Sequence, residues 1–86
     1  MKTHTLHIPY TEDLLLSLKK NKKQFEQDAR FFLAVKLYEL EQISSGKAAR
    51  LAGVDRVSFL LKLGQYHVSP FQESLEEILE EAERQQ

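Results

Sequence analysis

The sequence predicts an all-α protein: a helix-turn-helix bundle with one short N-terminal β-strand and a C-terminal amphipathic helix. Apolar residues recur at helical spacing over most of the chain, whereas strict alternation is confined to residues 1–9. A glycine at a helix-ending position divides the stretch 44–64 into two short helices. We therefore predict three segments: 1–42 as a strand-helix-helix dimerisation unit, 43–71 as a helix-turn-helix, and 72–86 as an acidic amphipathic tail.

The stretch 44–64, SSGKAARLAGVDRVSFLLKLG, is central to this prediction. Ser44 or Ser45 can cap its first helix, because a short hydroxyl accepts a hydrogen bond from an otherwise unpaired backbone N–H. Gly53 ends that helix, since the position after a helix often needs a positive φ that glycine adopts without steric cost. Asp55 can then cap a second helix.

The spacing of Ala49, Gly53, Val54 and Phe59 is typical of a DNA-binding helix-turn-helix. The alanine would lie where the two helices touch, and the glycine would form the turn. A plain helical hairpin that recognises nothing fits the same pattern and stays an open alternative. The second helix is mostly apolar, so its polar positions form a narrow stripe of Asp55, Ser58, Lys62 and Gln65, with Arg56 at its start.

An N-terminal strand is predicted over MKTHTLHIP, because its residues alternate in character. One face would carry His4, Leu6 and Ile8, and the other Thr3, Thr5 and His7. No other stretch of the chain offers a partner strand, and unpaired strand edges are unfavourable. We therefore expect the strand to pair with the same strand of a second copy, in a homodimer.

Apolar spacing predicts three further helices, over residues 11–20, 21–42 and 73–83. Asn21 and Gln24 have the spacing of a capping box for the second of these. That helix is apolar around much of its circumference, which indicates burial on more than one side and again favours a partner chain. The expected buried positions of the first helix are Leu14, Leu15 and Leu18. The last helix would carry Leu75, Ile78, Leu79 and Ala82 on one apolar face and glutamates on the rest, while residues 65–71 are expected to be extended.

Charge is distributed unevenly along the chain. Residues 1–69 hold 11 Lys and Arg against 7 Asp and Glu, a balance of +4, and residues 70–86 hold one Arg against six Glu, a balance of −5, which gives the net −1. A mildly basic body with an acidic tail suits a protein that meets phosphate at one end and a basic partner at the other. The same charge balances would also be found if the charged residues only kept the helices soluble and bound no partner.

The sequence offers no catalytic constellation. Without cysteine, the chain has neither disulfides nor a thiolate metal site. His4 and His7 would point to opposite faces of the strand, which makes them poor joint metal ligands. Gly46 and Lys47 lack the preceding glycine-rich loop of a phosphate-binding motif. We expect no enzyme activity, cofactor, metal or small-molecule substrate, and a cytoplasmic protein without a membrane partner, since neither a signal peptide nor a membrane span is recognisable.

The stretch Leu33–Phe71 resembles the core of an uncharacterised family of small prokaryotic helix-turn-helix proteins. The matching pieces are VKLYE (Val35–Glu39), SSGKAA (Ser44–Ala49), LAG (Leu51–Gly53) and the apolar run after Arg56, together with the N-terminal THTLHIPYTEDLL. That family is regarded as antitoxins, similar in gene context to the VapB class that neutralises PIN-domain ribonuclease toxins.

A second, local resemblance covers residues 1–42, where strand, proline, helix and helix look like a ribbon-helix-helix unit. In such units paired strands enter the major groove, which would make Thr3, Thr5 and His7 base-facing positions. The sequence departs from the pattern at His4, an inward position that is usually apolar.

These resemblances imply an antitoxin that binds operator DNA and neutralises a PIN-like toxin. Backbone contacts are expected from Lys47, Arg50, Arg56 and Lys62, and base contacts from Ser58 and Gln65. The tail would lay Leu75, Ile78 and Leu79 into an apolar groove of the toxin. The alternative is a protein-interaction adapter whose helix-turn-helix is a structural packing unit without DNA binding.

Overall fold

Five α-helices and one short 3₁₀ helix form the computed structural model, which describes residues 2–68 and 75–84, and their side chains except at 75–78. The helices are α1 (Glu12–Leu18), α2 (Lys22–Glu39), α3 (Ser45–Ala52), α4 (Arg56–Lys62) and α5 (Leu75–Arg84), with the 3₁₀ helix at Leu63–Tyr66. The described ranges contain no β-strand, so the prediction of an all-α protein is confirmed.

Helix starts follow the capping residues of the sequence. Asn21 caps α2 in a complete capping box, Ser44 caps α3, and Asp55 caps α4. The bonds are Gln24 N to Asn21 Oδ1 (2.8 Å), Lys47 N to Ser44 Oγ (3.2 Å) and Ser58 N to Asp55 Oδ2 (3.1 Å). Each bond satisfies a backbone N–H that the helix itself leaves unpaired, and a good cap stabilises by about 1 kcal/mol.

The core lies between α2, α3 and α4. Tyr38 and Phe59 are fully buried, and their rings meet edge to face with centroids 5.7 Å apart. Phe31 adds a third ring, 5.3 Å from that of Phe59. Ala48 and Ala49 are buried as well, and their small side chains let α3 pack closely. Helices from the predicted segments 1–42 and 43–71, α2 on one side and α3 and α4 on the other, therefore share this core.

The turn between α3 and α4 is built on Gly53, whose φ is +79°. A Cβ atom at this position would lie 2.9 Å from Nη1 of Arg30, closer than real Cβ contacts come. Arg30 reaches the turn from α2, and its Nε donates to the carbonyl of Leu51 at 3.0 Å. That carbonyl lies in the last turn of α3, so the guanidinium satisfies an acceptor that the helix leaves unpaired.

The predicted N-terminal strand is not observed. Residues 2–10, here called the N-terminal arm, have no regular secondary structure. No described residue forms a backbone hydrogen bond with the arm. Leu6 and Ile8, predicted to face a buried side, are 70% and 65% exposed, and His4 is also exposed. The physical reason is that a strand needs a neighbouring edge to pair with, and the described part of one chain offers none.

Smaller differences concern helix faces and ends. In α1 only Leu15 is buried, while Leu14 and Leu18 are exposed. The stretch predicted as extended over 65–71 instead begins in the 3₁₀ helix, and its part from residue 69 lies outside the described residues. The tail helix is confirmed over Leu75–Arg84, whereas residues 73 and 74 are also outside the described range.

Gly53→Ala is expected to lower the free energy of unfolding by about 1–2 kcal/mol, since a side chain in the left-handed region costs that much before any clash with Arg30. Gly64→Ala is the matched control, because a Cβ added there would meet no atom within 4 Å beyond its chain neighbours, and its effect should stay within about 0.5 kcal/mol. Urea unfolding followed by circular dichroism measures both. Equal stability of the two variants would contradict the proposed role of the turn.

Candidate nucleic-acid interface

The outer side of α4 carries the polar stripe that the sequence predicts. Asp55, Lys62 and Gln65 are exposed, and Ser58 is half-buried. Leu61 lies among them and is 49% exposed. Asp55, Ser58 and Lys62 recur every three or four residues and share one side of α4, opposite the side that packs into the core, and Gln65 follows in the 3₁₀ helix. The surface is therefore accessible, but it mixes polar groups with a large apolar one.

The first two stripe residues are bonded to each other. Ser58 Oγ donates to Asp55 Oδ1 at 2.6 Å, in addition to the backbone cap. This hydroxyl bond, followed by the backbone N–H of Ser58, holds the pKa of Asp55 below its usual 3.8. The carboxylate is therefore fully charged near neutral pH. The hydroxyl proton of Ser58 is already donated to Asp55, so the Ser58 oxygen can only accept a hydrogen bond from a DNA base.

Arg56 is half-buried, and neighbouring side chains already engage its guanidinium. Its Nε donates to Ser45 Oγ at 3.0 Å, and its Nη1 forms an ion pair with Glu81 of α5. The residue thus links the start of α4 to α3 and to α5. These contacts give the guanidinium a structural role. A DNA phosphate would have to compete with Glu81 for it.

Lys47 and Arg50 are the exposed cations of α3. They lie three positions apart, so their side chains are neighbours on one side of the helix. Neither forms a salt bridge with a described side chain. By contrast, Lys20 pairs with Asp28 and Lys36 with Glu39. Of the four predicted DNA-binding cations, Lys47 and Arg50 therefore have fewer competing contacts than Arg56 and Lys62.

The N-terminal arm borders an apolar groove. Tyr10 anchors the end of the arm, since its hydroxyl donates to Glu26 and its ring packs edge-on against Phe25 at 4.9 Å. The hydrogen bond to Glu26 raises the pKa of Tyr10 to about 12. We call the space of about 1080 Å³ between the arm, α1, α2 and α3 the arm groove; its apolar lining includes Leu6, Ile8, Leu14, Phe25, Leu33 and Leu51. The predicted base-facing residues Thr3, Thr5 and His7 are all exposed on this arm.

The acidic tail helix α5 lies against α4. Ala82 is half-buried against the core, and Glu81 holds the ion pair with Arg56. Leu79, one of the predicted partner-binding residues, is 48% exposed. The side chains of Leu75 and Ile78, the other two, lie outside the described residues.

The sequence analysis missed a second basic feature beside the turn. We call it the turn notch: a recess of about 270 Å³ lined by Gln27, Asp28, Arg30 and Phe31 of α2, Ala52, Gly53 and Val54 of the turn, and Lys62 and Tyr66 beyond it. It brings Arg30 and Lys62 together from two helices. The one sequence signal that pointed to it was a charged residue, Arg30, at the head of the apolar run FFLAV in α2.

Two kinds of site are absent from the described part of the chain. Within residues 2–68 and 75–84, no group of three or more His, Asp or Glu side chains is placed to hold a metal ion. In the same ranges, no helix has both the length and the apolar character needed to cross a membrane.

Comparison with known proteins gives one match. The family model of the uncharacterised protein family UPF0175 matches residues 1–86, which is the whole chain. No curated protein and no solved structure matches the chain significantly.

Proposed function

The chain belongs to the uncharacterised protein family UPF0175, and we propose that it is the antitoxin of a type II toxin–antitoxin pair. In this proposal it binds operator DNA as a homodimer in the cytoplasm and neutralises a PIN-like ribonuclease toxin. The observation that supports the DNA-binding part most directly is the α3–turn–α4 unit, with its exposed outer side on α4 and its exposed cations on α3.

The packing of this unit supports recognition by α4. Val57 and Leu60 are buried on the inner side of α4, and Ala49 is buried on α3. Gly53 turns the chain between the two helices. In DNA-binding helix-turn-helix units the second helix lies in the major groove while the first crosses the backbone. The exposed residues Leu61 and Lys62 leave part of the α4 surface available for such a groove.

The charges of the unit assign different roles to its residues. Lys47 and Arg50 would bind backbone phosphates, which fixes position without reading sequence. Gln65 is the exposed stripe residue with an amide that can pair with a base edge. The charged Asp55 repels phosphate near the start of α4. We therefore propose that affinity comes mainly from α3 and that base reading is modest.

The apolar surface supports a homodimer. Leu6 and Ile8 of the arm are largely exposed, and Phe32 on α2 and Leu40 just after it are each 54% exposed. We propose that a second copy of the chain covers part of this exposed apolar surface. The unpaired backbone of the N-terminal arm adds donors and acceptors that a second arm could satisfy. Pairing of two arms would also present Thr3, Thr5 and His7 side by side, as in a ribbon-helix-helix protein.

The tail supports a toxin-binding role through its weak attachment. Among the described side chains of α5, Glu81 forms a partly exposed ion pair with Arg56, in which 28% of the Glu81 side chain and 35% of the Arg56 side chain remain accessible, and solvent screening limits such a pair to about 1 kcal/mol. Ala82 contributes only a small apolar contact. A toxin groove that buries Leu79 could therefore displace α5 from α4 at low cost.

A protein-interaction adapter is the second candidate function. The observation that favours it is that three predicted DNA contacts already serve the fold. Arg56 pairs with Glu81, Ser58 bonds to Asp55, and Lys62 lies over the ring of Phe31 with its Nζ 5.4 Å from the centroid. In that case Leu61 would belong to a protein interface.

Lys47→Gln and Arg50→Gln are each expected to weaken binding to a duplex from the protein's own promoter. Each lost phosphate contact should also flatten the slope of log affinity against log salt by about one unit, because fewer counterions are released. Fluorescence anisotropy at several salt concentrations measures affinity and slope. Lys22→Gln, the same change of charge at an exposed site in the first turn of α2, is the control. Wild-type affinity and slope in both α3 variants would favour the adapter.

The protein is expected to be a dimer at low micromolar concentration, with about twice the 10.0 kDa mass of one chain. Leu6→Ser should shift it towards monomer, because this side chain borders the arm groove. Leu16→Ser is the matched control, since Leu16 on α1 is 71% exposed, Leu6 is 70% exposed, and Leu16 does not line that groove. Light scattering measures the mass, and a wild-type monomer would exclude the dimer.

In the free protein, amides of α5 are expected to exchange with deuterium faster than those of α2 and α4. Among the described side chains, α5 is held by a partly exposed ion pair and a small apolar contact, and a short helix held in this way opens at low free energy. Glu81→Gln should speed exchange in α5 further, while Glu39→Gln, which breaks the exposed pair with Lys36, should not. Protection of α5 equal to that of α4 would remove the case for a tail that leaves the body to bind a toxin.

A further inference from the structure

We propose that the turn notch binds one backbone phosphate of the DNA, with Arg30, Lys62 and Tyr66 as the phosphate-binding residues. This inference rests on the proposed DNA binding and deepens it. It adds a contact from α2, outside the α3–turn–α4 unit.

The position of the notch suits such a contact. Lys62 lies on the outer side of α4 and also lines the notch, so the two surfaces are continuous. Gly53 and Val54 form the floor at the turn. When a helix enters the major groove, the elements beside it face the phosphates that border the groove. With α4 in the groove, the notch beside it would face one of these phosphates.

The contacts of Arg30 orient its guanidinium and leave its terminal nitrogens able to bind an anion. Its Nε donates to the carbonyl of Leu51, and the guanidinium lies over Gly53, where a Cβ would come within 3.2 Å of both terminal nitrogens. These contacts fix the orientation of the group, so little rotamer entropy remains to be lost on binding. The terminal Nη1 and Nη2 form no hydrogen bond with any described residue. They offer a fork of donors, the geometry that matches phosphate oxygens.

The charge of the notch is positive. Lys62 has no carboxylate partner among the described residues, and its Nζ contacts the face of Phe31. Asp28 is the acidic group in the lining, and Lys20 pairs with it. Arg30 and Lys62 therefore leave two uncompensated positive charges in one recess. Anions bind best where donors and positive charge are fixed in advance.

Tyr66 supplies a neutral donor. Its ring stacks on Phe31 with centroids 5.2 Å apart and meets Phe32 edge-on, also at 5.2 Å, which holds the phenol at the rim of the notch. Partial burial, followed by the charge of Asp28, raises the pKa of Tyr66. The hydroxyl thus stays protonated at neutral pH and can donate to a phosphate oxygen.

The size of the notch limits the ligand. At about 270 Å³ it is smaller than the 300–1,000 Å³ typical of pockets for whole small molecules. A single tetrahedral anion fits this description better than a nucleotide. Free inorganic phosphate and the DNA backbone share that chemistry, and the experiment must separate the two sources.

Lys62→Gln is expected to reduce DNA affinity about tenfold and Tyr66→Phe about twofold to tenfold, from the usual strengths of charged and neutral hydrogen bonds. Lys62→Gln should also flatten the salt slope by about one unit, whereas Tyr66→Phe should leave the slope unchanged. Tyr66→Phe keeps both ring contacts, so it tests the hydroxyl alone. Lys22→Gln again controls for charge.

Arg30→Lys keeps the positive charge but loses the paired N–H donors of the guanidinium, so it should also weaken DNA binding. The unfolding curve of this variant reports any damage to the turn.

A second arm uses inorganic phosphate as the probe. Titration of ¹⁵N-labelled protein should shift the backbone amides of Gly53 and Val54 in the wild type and not in Lys62→Gln. If the wild type binds DNA and the α3 variants weaken it, but Lys62→Gln and Tyr66→Phe bind as the wild type does, the notch inference is overturned and the proposed function stands. If the wild type does not bind DNA, the proposed function fails. Phosphate shifts at the notch would then support an anion site for free phosphate, and their absence would overturn the site as well.

Discussion

The turn at Gly53 is the constraint on which the rest of this structure depends. Its positive φ sends the chain from α3 into α4 within a few residues, and α4 carries Phe59 into the centre of the core. Removing a buried ring of this kind costs about 3–5 kcal/mol, a large part of the stability of a small domain. The same glycine leaves room for the guanidinium of Arg30, which ties α2 to the end of α3. One residue without a side chain therefore fixes the relation of three helices.

Small size is the second constraint. A chain of 86 residues buries only a modest core, and here that core is formed by one side of α2 together with α3 and α4. Phe32 on α2, Leu40 just after its end, and Leu6 and Ile8 on the arm remain exposed. Apolar surface that a single chain cannot cover is the physical reason for proposing a second copy. It also explains why the groove beside the arm is wide and open.

The cations of the α3–turn–α4 unit differ in whether other side chains already bind them. Arg56 is held by Ser45 and Glu81, while Lys47 and Arg50 on α3 are exposed. Because Ser45 and Glu81 already occupy N–H groups of Arg56, this guanidinium has fewer donors available for a ligand. Basic residues of the same unit therefore differ in how readily they can bind a phosphate. The proposed interface therefore moves from the polar stripe of α4 towards α3 and the turn notch. In the proposed DNA complex, base reading by this surface would depend on few groups, and contacts with the phosphate backbone would supply most of the affinity.

The sequence by itself determined the local features of this protein. The start of α2 at Asn21, the start of α4 at Asp55 and the turn at Gly53 were predictable, because a cap or a positive φ depends on a few adjacent residues. The N-terminal strand was predicted from the same kind of local pattern and was wrong for one chain. Alternation shows which residues could share a face, but a strand forms only where a second edge is present.

Only the tertiary structure decided which side chains are free to act. Arg56 and Glu81 are 25 residues apart in the chain, and their ion pair exists because α5 lies against α4. Arg30 and Lys62 come from different helices and share a notch because α2 and α4 pack around Phe31 and Phe59. The spacing of residues along one helix cannot reveal such pairs. Their separation is set by packing between elements, which involves the whole core at once.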